Sequence, residues 1–174
     1  KGDFFGPLVI AAAYTNEDLY KRLREIGVQD SKAITSDKQA IAIAEKIKKI
    51  LGPTRYAIVR IGNAAYNRLY AKYKSVNTIL AWGHARAIEN LITNIPSCKL
   101  AISDQFGNTE EIIKRALMQK GKSIELKQRH KAEADVAVAA ASILAREAFL
   151  TSLKQMEEKY TNKFPKGASP QVKE

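Results

Sequence analysis

Short apolar runs alternate along this chain with longer segments of helical periodicity, and this alternation narrows the choice of folds more than any other feature. Buried strands are predicted at residues 8–14, 55–61, 99–103 and 123–128. Helices are predicted at residues 17–26, 36–51, 64–73, 76–95, 108–119 and 134–159. Strands that alternate with helices predict an α/β fold in which helices flank a central sheet.

Local signals support several of these boundaries. Ser36 with Gln39 and Asn108 with Glu111 each fit a capping box at the start of a helix. Gly52-Pro53 is a typical helix end. The last residues, 164–174, contain two prolines and are predicted to be a poorly ordered tail. The expected organisation is therefore one domain over residues 1–174, with a tail from about residue 161.

Composition excludes some classes of protein and favours one class of partner. The chain has 174 residues, 45% of them apolar, which is enough for one domain with a core. One cysteine rules out an internal disulfide and a cysteine-based zinc cluster. The longest run of small or apolar residues, 136–145, is shorter than the roughly 20 residues of a bilayer span, so a soluble cytoplasmic protein is expected. The net charge of +11 favours nucleic acid as a partner.

Two carboxylates follow predicted strands and are candidate metal ligands. Asp104 comes directly after the strand at 99–103, and Glu133 follows the strand at 123–128. Ligands of open α/β sheets bind beyond the carboxyl ends of strands, and Mg²⁺ is held by a few carboxylates with water or phosphate. Asp104 is also compatible with an ordinary turn residue, and Glu133 with an acidic residue at a helix N-terminus. Asp135 fits that second role better.

Other candidates are weaker. His130 is interpreted as an acid or base, a phosphate contact or a surface residue, and His84 as a residue on the polar face of its helix. Lys32, in the sequence Asp30-Ser31-Lys32, could meet phosphate as a point charge. The chain contains no Walker A loop, no G-x-G-x-x-G and no G-x-S-x-G. Nucleotide binding through those motifs and serine hydrolysis are therefore not supported.

Seven stretches, taken together, resemble the type 2 ribonucleases H, and among them the ribonuclease HIII group. They occur in the order of that family and cover nearly the whole chain. The G-D-F-F-G-P stretch, the A-W-x-H helix and a glutamate at position 133 favour ribonuclease HIII over ribonuclease HII. The matching stretches are residues 1–7, 30–32, 77–84, 104–106, 131–133, 139–146 and 164–168.

This resemblance implies a ribonuclease H-like fold with a central mixed β-sheet flanked by helices. It also implies an endoribonuclease that hydrolyses the RNA strand of RNA–DNA hybrids with two Mg²⁺ or Mn²⁺ ions, leaving 5′-phosphate ends. The family uses four carboxylates in the order Asp, Glu, Asp, Glu; Asp104 matches the third and Glu133 the fourth. The first two belong to D-E-x-G-x-G, of which Lys1-Gly2 are the last two positions in this sequence. The family's N-terminal substrate-binding domain is not in the sequence either.

Nucleic-acid contacts are likewise implied by the resemblance. Recognition of a hybrid requires contacts to both phosphate backbones and to the RNA 2′-hydroxyls. A monomer without membrane contact is expected. Two alternatives stay open at this point: a nucleic-acid-binding module without cleavage, and a ribonuclease HII that acts at RNA–DNA junctions. The residues expected to contact the hybrid are Lys1, Gly2, Ser31, Lys32, Asn77, His130 and Lys131.

Overall fold

A computed structural model of the chain describes residues 1–28, 34–105, 109–117, 121–129 and 135–173. Strands and helices alternate as the sequence predicts. The observed bounds of each element differ from the predicted bounds by at most one or two residues, except near residues 106–135. The strands are β1 (Leu8–Ala13), β2 (Tyr56–Ile61), β3 (Leu100–Asp104) and β4 (Glu125–Arg129). The helices are α1 (Glu17–Glu25), α2 (Asp37–Leu51), α3 (Asn63–Tyr73), α4 (Val76–Asn94), α5 (Glu110–Ala116), α6 (Val136–Tyr160) and α7 (Pro170–Lys173).

The described strands pair in two ways. β1 and β2 are antiparallel, with Leu8 opposite Ile61 and Ala13 opposite Tyr56. β3 and β4 are parallel, with Leu100 opposite Glu125 and Asp104 opposite Arg129. Among the described residues these pairs are two separate two-stranded sheets. A cavity of about 660 Å³ lies between β1 and β3, and residues of α4 and α6 also line it. The fold is thus mixed, as expected, and its parallel pair brings two carboxyl strand ends together.

Helix α6 is the central element of the core. Its small residues Ala139, Ala140 and Ala148 are fully buried, and the helix packs on β1 and on α2. Asp135 caps it, since the carboxylate Oδ1 accepts a hydrogen bond from the N–H of Ala137 at 2.9 Å. The role that the sequence suggested for Asp135 is therefore confirmed.

The same helix is apolar and long enough to cross a membrane, by length and composition alone. One 18-residue window has a mean hydropathy of 1.5, and half of that window is buried inside the domain. No other helix of the described residues passes this test. The expectation of no bilayer span counted uninterrupted apolar residues only, and this finding does not test it. A buried core helix needs the same hydropathy, so this finding is weak support for a membrane span.

Helix α4 approaches β1 closely at a glycine. A methyl group at Gly83 would lie 2.6 Å from the Cδ1 atom and 3.1 Å from the Cγ1 atom of Ile10, a side chain that is itself buried. We expect Gly83→Ala to lower the free energy of unfolding by about 1–2 kcal/mol, since overpacking costs about 1–3 kcal/mol and the gain in helix propensity offsets part of it. Urea unfolding measures this. Asn90→Ala, at an exposed position of the same helix, is the control and should not destabilise the protein.

The expected tail instead packs against the N-terminal loop. The Phe4 N–H donates to the Gly167 carbonyl at 2.9 Å, and the Gly167 N–H donates to the Asp3 carboxylate at 3.0 Å. The rings of Phe5 and Phe164 lie 5.3 Å apart. Residues 164–167, expected to be poorly ordered, are held by these specific contacts, and Phe164 gains a partly buried aromatic neighbour that the sequence alone does not reveal.

Candidate active site

Asp104 is the last residue of β3, at the carboxyl end of the parallel pair. It is exposed, and the N–H of Gln105 donates to its Oδ1 at 3.1 Å. It lines the cavity between the sheets and also a second, open cavity of about 940 Å³. A carboxylate fixed on a strand end beside open space can reach a bound cation or substrate without moving the backbone.

The second predicted carboxylate, Glu133, lies outside the described residues. So do four of the predicted nucleic-acid contacts, namely Ser31, Lys32, His130 and Lys131. What the structure does show is that β4 ends at Arg129, directly opposite Asp104. The two strands that lead to Asp104 and towards Glu133 are therefore adjacent and parallel. That Asp104 and Glu133 share one site stays a prediction.

Three predicted contacts are described. Lys1 forms an ion pair with Asp3, and its carbonyl accepts a hydrogen bond from the Val9 N–H at 2.8 Å. Lys1 and Asp104 line both cavities together. Gly2 lies against Leu8, where a Cβ atom would come within 2.9 Å of the Leu8 Cδ1 atom. Asn77 is exposed in the first turn of α4, and it lines neither cavity. The structure thus places Lys1 around the same two cavities as Asp104, whereas it leaves Asn77 outside them.

A charged network that the sequence did not single out lines the second cavity. Arg146 of α6 donates to the Ile34 carbonyl at 2.7 Å and to the Asp37 carboxylate at 2.8 Å. Lys166 forms a second ion pair with Asp37. The hydrogen bond from Lys166 is the main cause that lowers the pKa of Asp37, and the hydrogen bond from Arg146 lowers it further, against partial desolvation.

This network explains how the fold positions the segment after residue 33. Arg146 holds both Ile34 and Asp37, the residues that follow Asp30-Ser31-Lys32 in the chain. A guanidinium group suits this role because it donates in two directions from one rigid plane. Arg146 and Lys166 lie within two of the seven stretches that resemble the family, so the sequence did carry a signal for both residues. It did not show that both contact Asp37, because that contact joins distant parts of the chain.

His84 is half-buried in α4 and faces the cavity between the sheets, so its interpretation as a residue on the polar face was wrong. Its Nδ1 atom lies 3.4 Å from the Ser103 Oγ atom, and its ring lines the cavity between the sheets. Helix α4 packs on β1, β2, α3 and α5, so neighbouring elements cover much of its surface. Burial lowers the pKa of His84 to about 4, with a smaller contribution from a nearby positive amino group.

The donor set suits a hard divalent cation only in part. Asp104 offers carboxylate oxygens of the kind that Mg²⁺ and Mn²⁺ prefer. Within the residues that the structure describes, no group of three or more histidine, cysteine, aspartate or glutamate side chains could hold a metal ion. Asp104 therefore fits a cation site whose remaining ligands come from elsewhere.

Comparison with known proteins gives one consistent family. The model of the ribonuclease HII family matches residues 1–174. A ribonuclease HIII of Protochlamydia amoebophila is 46% identical over 169 residues, which are 97% of this chain and 54% of that protein. A ribonuclease HIII of Chlamydia pneumoniae is 45% identical and covers 99% of this chain and 57% of its own length. The chain thus spans little more than half the length of these curated relatives.

Solved structures agree with the fold. The crystal structure of Bst-RNase HIII in complex with Mn²⁺ has a TM-score of 0.86 and 31% identity, and covers 99% of this chain and 56% of its own. That of Aquifex aeolicus RNase H3 has a TM-score of 0.75 and 29% identity, and covers 99% of this chain and 62% of its own. The expected ribonuclease H-like fold is confirmed.

Proposed function

The chain belongs to the ribonuclease HII family, and on that premise we propose that it is the catalytic part of an endoribonuclease of the ribonuclease HIII kind. Its substrate is the RNA strand of an RNA–DNA hybrid. The observation that carries this proposal is Asp104 at the carboxyl end of β3, directly beside the end of β4 and open to a cavity lined by Lys1, Arg146 and Lys166. Asp3 and Asp37 also line this cavity and pair with those cations, so Asp104 is the lining carboxylate that stands at a strand end.

The residues of the chain divide the work between them. Asp104, with Glu133 as its proposed partner, holds divalent cations. The rigid end of β3 keeps the Asp104 carboxylate in place. A bound pair of Mg²⁺ or Mn²⁺ ions supplies positive charge that stabilises the transition state and activates water. Lys1, Gly2, Ser31, Lys32, Asn77, His130 and Lys131 are proposed to contact the two strands of the hybrid. No nucleophilic side chain is required, in keeping with the lack of a serine-hydrolase motif.

The proposal includes where and how the protein works. A domain with a net charge of +11 is suited to a compartment that contains nucleic acid. We propose the cytoplasm, and a monomer as the active unit. Size-exclusion chromatography with light scattering tests the second point, since a dimer would elute with twice the mass.

Cleavage of a labelled hybrid tests the main proposal. The protein is prepared with the family's Asp-Glu motif in front of Lys1 and incubated with a hybrid labelled on the RNA strand. In Mg²⁺ or Mn²⁺ we expect internal cuts that leave 5′-phosphate ends, and none in EDTA. An intact RNA strand at enzyme excess in both metals would contradict the proposal.

A nucleic-acid-binding module without cleavage is the second candidate. The observation in its favour is that the described residues contain no cluster of three metal-binding side chains. The two candidates separate in one experiment, because the binding module retains affinity for the hybrid but leaves the RNA strand intact in Mg²⁺.

Salt dependence tests the electrostatic part of the proposal. We expect the logarithm of hybrid affinity to fall linearly with the logarithm of salt concentration, with a slope of roughly −0.9 per phosphate neutralised. Lys32→Ala should weaken binding at every salt concentration and leave the metal requirement unchanged. Lys154→Ala removes the same charge from an exposed position on α6 and serves as the matched control. An affinity that does not respond to salt would contradict binding through phosphates.

A further inference from the structure

Residues 62–88 form a stretch in which positive charge has no acidic counterpart. They contain no aspartate or glutamate, and they carry Arg68, Lys72, Lys74 and Arg86. The stretch comprises α3 and most of α4, with only Lys74 and Ser75 between the two helices. Arg68, Lys72 and Lys74 form no ion pair with any carboxylate among the described residues.

Several lysines of other exposed helices are neutralised by acidic residues of the same helix. Lys21 pairs with Glu17 at 2.8 Å in α1, and Lys114 pairs with Glu110 at 2.6 Å in α5. Helix α6 places Lys154 3.9 Å from Glu158. Helix α2 also carries lysines without an ion pair among the described residues, but it contains Asp37 and Glu45, whereas residues 62–88 contain no acidic residue that could compensate their charge. Uncompensated positive charge attracts a polyanion.

Aromatic side chains interleave with these cations. Tyr70 is 43% exposed and Tyr73 is 45% exposed, and α3 has no buried residue. The Lys72 ammonium lies 5.1 Å from the centre of the Tyr73 ring. Tyr66 stacks on Tyr70 with an interplanar angle of 12°, which holds the Tyr70 ring in place. Exposed rings beside cations are the combination that binds single-stranded nucleic acid, because bases stack on the rings while lysines contact phosphates.

The junction with α4 fixes this surface next to a predicted substrate contact. The Lys74 N–H donates to the Tyr70 carbonyl at 2.8 Å, and the Ser75 Oγ atom accepts from the Thr78 N–H at 3.2 Å, so both helix ends are capped. Asn77, which is expected to contact the hybrid, is exposed in the first turn beyond this junction. Lys74, Tyr73 and Tyr70 are exposed within the seven residues that precede Asn77 in the chain.

We propose that the α3 surface, defined as Tyr70, Lys72, Tyr73 and Lys74, binds an unpaired strand that continues from the hybrid. This inference rests on the proposed function and extends it to the substrate, which is then a hybrid with a single-stranded extension. An unpaired strand is the occupant because the bases of a duplex are already stacked on one another and cannot stack on Tyr70 or Tyr73.

Binding without cleavage provides the test. The 174-residue chain is titrated in EDTA against three fluorescent 12-base-pair hybrids. One is blunt, and the other two carry an eight-nucleotide single-stranded extension at one end or at the other. We expect the extension at one end to lower the Kd by about 10-fold or more, as stacking of one or two bases does. The double variant Tyr70→Ala/Tyr73→Ala should lose this gain and keep its affinity for the blunt hybrid, whereas Tyr70→Phe/Tyr73→Phe should retain the gain.

Tyr20→Ala is the matched control. Tyr20 is also an exposed helical tyrosine, 38% exposed with the Arg24 guanidinium 5.8 Å from its ring centre, but its helix carries the acidic residues Glu17 and Asp18. It should keep the full gain from the extension. Because the substituted side chains are exposed, circular dichroism and the unfolding midpoint should be unchanged in all variants.

Three outcomes overturn the inference. They are an extension that tightens binding at neither end, a Tyr70/Tyr73 double variant that keeps the gain, and a double variant that loses affinity for blunt and extended hybrids equally, which would indicate a duplex contact. Failure of the proposed function looks different. In that case the blunt hybrid does not bind, while an eight-nucleotide single strand still binds wild type more tightly than the double variant.

Discussion

Replacing Asp104 by asparagine is expected to lower hybrid cleavage by about 10³-fold or more, in a protein that carries the family's Asp-Glu pair before Lys1. The substitution keeps the shape of the side chain and removes its charge, so a cation ligand and the charge stabilisation that depends on it are lost. Single-turnover cleavage of a labelled hybrid in Mg²⁺ measures the effect. Binding of the hybrid in EDTA should change little.

Asp18→Asn is the control for this prediction. It makes the same chemical change on an exposed residue of α1, where the side chain is 75% accessible, and it should leave the cleavage rate within twofold of wild type. If Asp104→Asn retained a tenth of the wild-type rate, Asp104 would not be the ligand that we propose.

A related prediction concerns the Asp-Glu pair of the family's D-E-x-G-x-G motif. Two cations need most of the four carboxylates to be held in register, and positioning supplies much of the rate enhancement in such chemistry. A polypeptide shown by mass spectrometry to begin at Lys1 should therefore bind the hybrid without measurable cleavage. Robust cleavage by that polypeptide would refute the four-carboxylate mechanism.

The second large effect concerns stability and pH. The pKa of His84 is lowered by burial from 6.5 to about 4, so the folded state keeps this side chain neutral while the unfolded state protonates it at a higher pH. Between these two values the unfolded state binds more protons, and the free energy of unfolding must fall as the pH falls. The contribution of His84 is fully present above about pH 6.5 and is lost progressively down to about pH 4.

A shift of this size corresponds to roughly 3 kcal/mol in total, of which about 2 kcal/mol should be lost by pH 5. Urea unfolding at several pH values from 7.5 to 5 measures it. His84→Gln cannot titrate, so its stability should depend on pH less steeply by that amount, whatever its stability at pH 7.5. Because every other titratable group is the same in both proteins, the difference between the two curves isolates His84. Parallel curves would contradict the buried, neutral histidine.

Features that depend on a few neighbouring residues could be predicted from the sequence. Ser36 caps α2 by accepting from the Gln39 N–H at 3.1 Å, and Asp135 caps α6 in the same way. The four strands lie within two residues of their predicted positions, because a short apolar run bounded by turn residues is a local pattern. The same local pattern predicted that Asp104 lies at the end of a strand. The first turn of α5 is an exception, since the helix begins at Glu110 after Thr109, and Asn108 lies outside the described residues.

Other features required the packing of elements far apart in the chain. Arg146 reaches Ile34 across 112 positions, and Gly167 reaches Asp3 across 164. His84 looked polar by helical position, but its burial depends on where β3 and the cavity between the sheets lie. The adjacency of the ends of β3 and β4 likewise follows from their parallel pairing, not from either strand. The sequence sets local conformation through contacts within a turn or two, whereas the site is assembled by long-range contacts that form only when the whole domain packs.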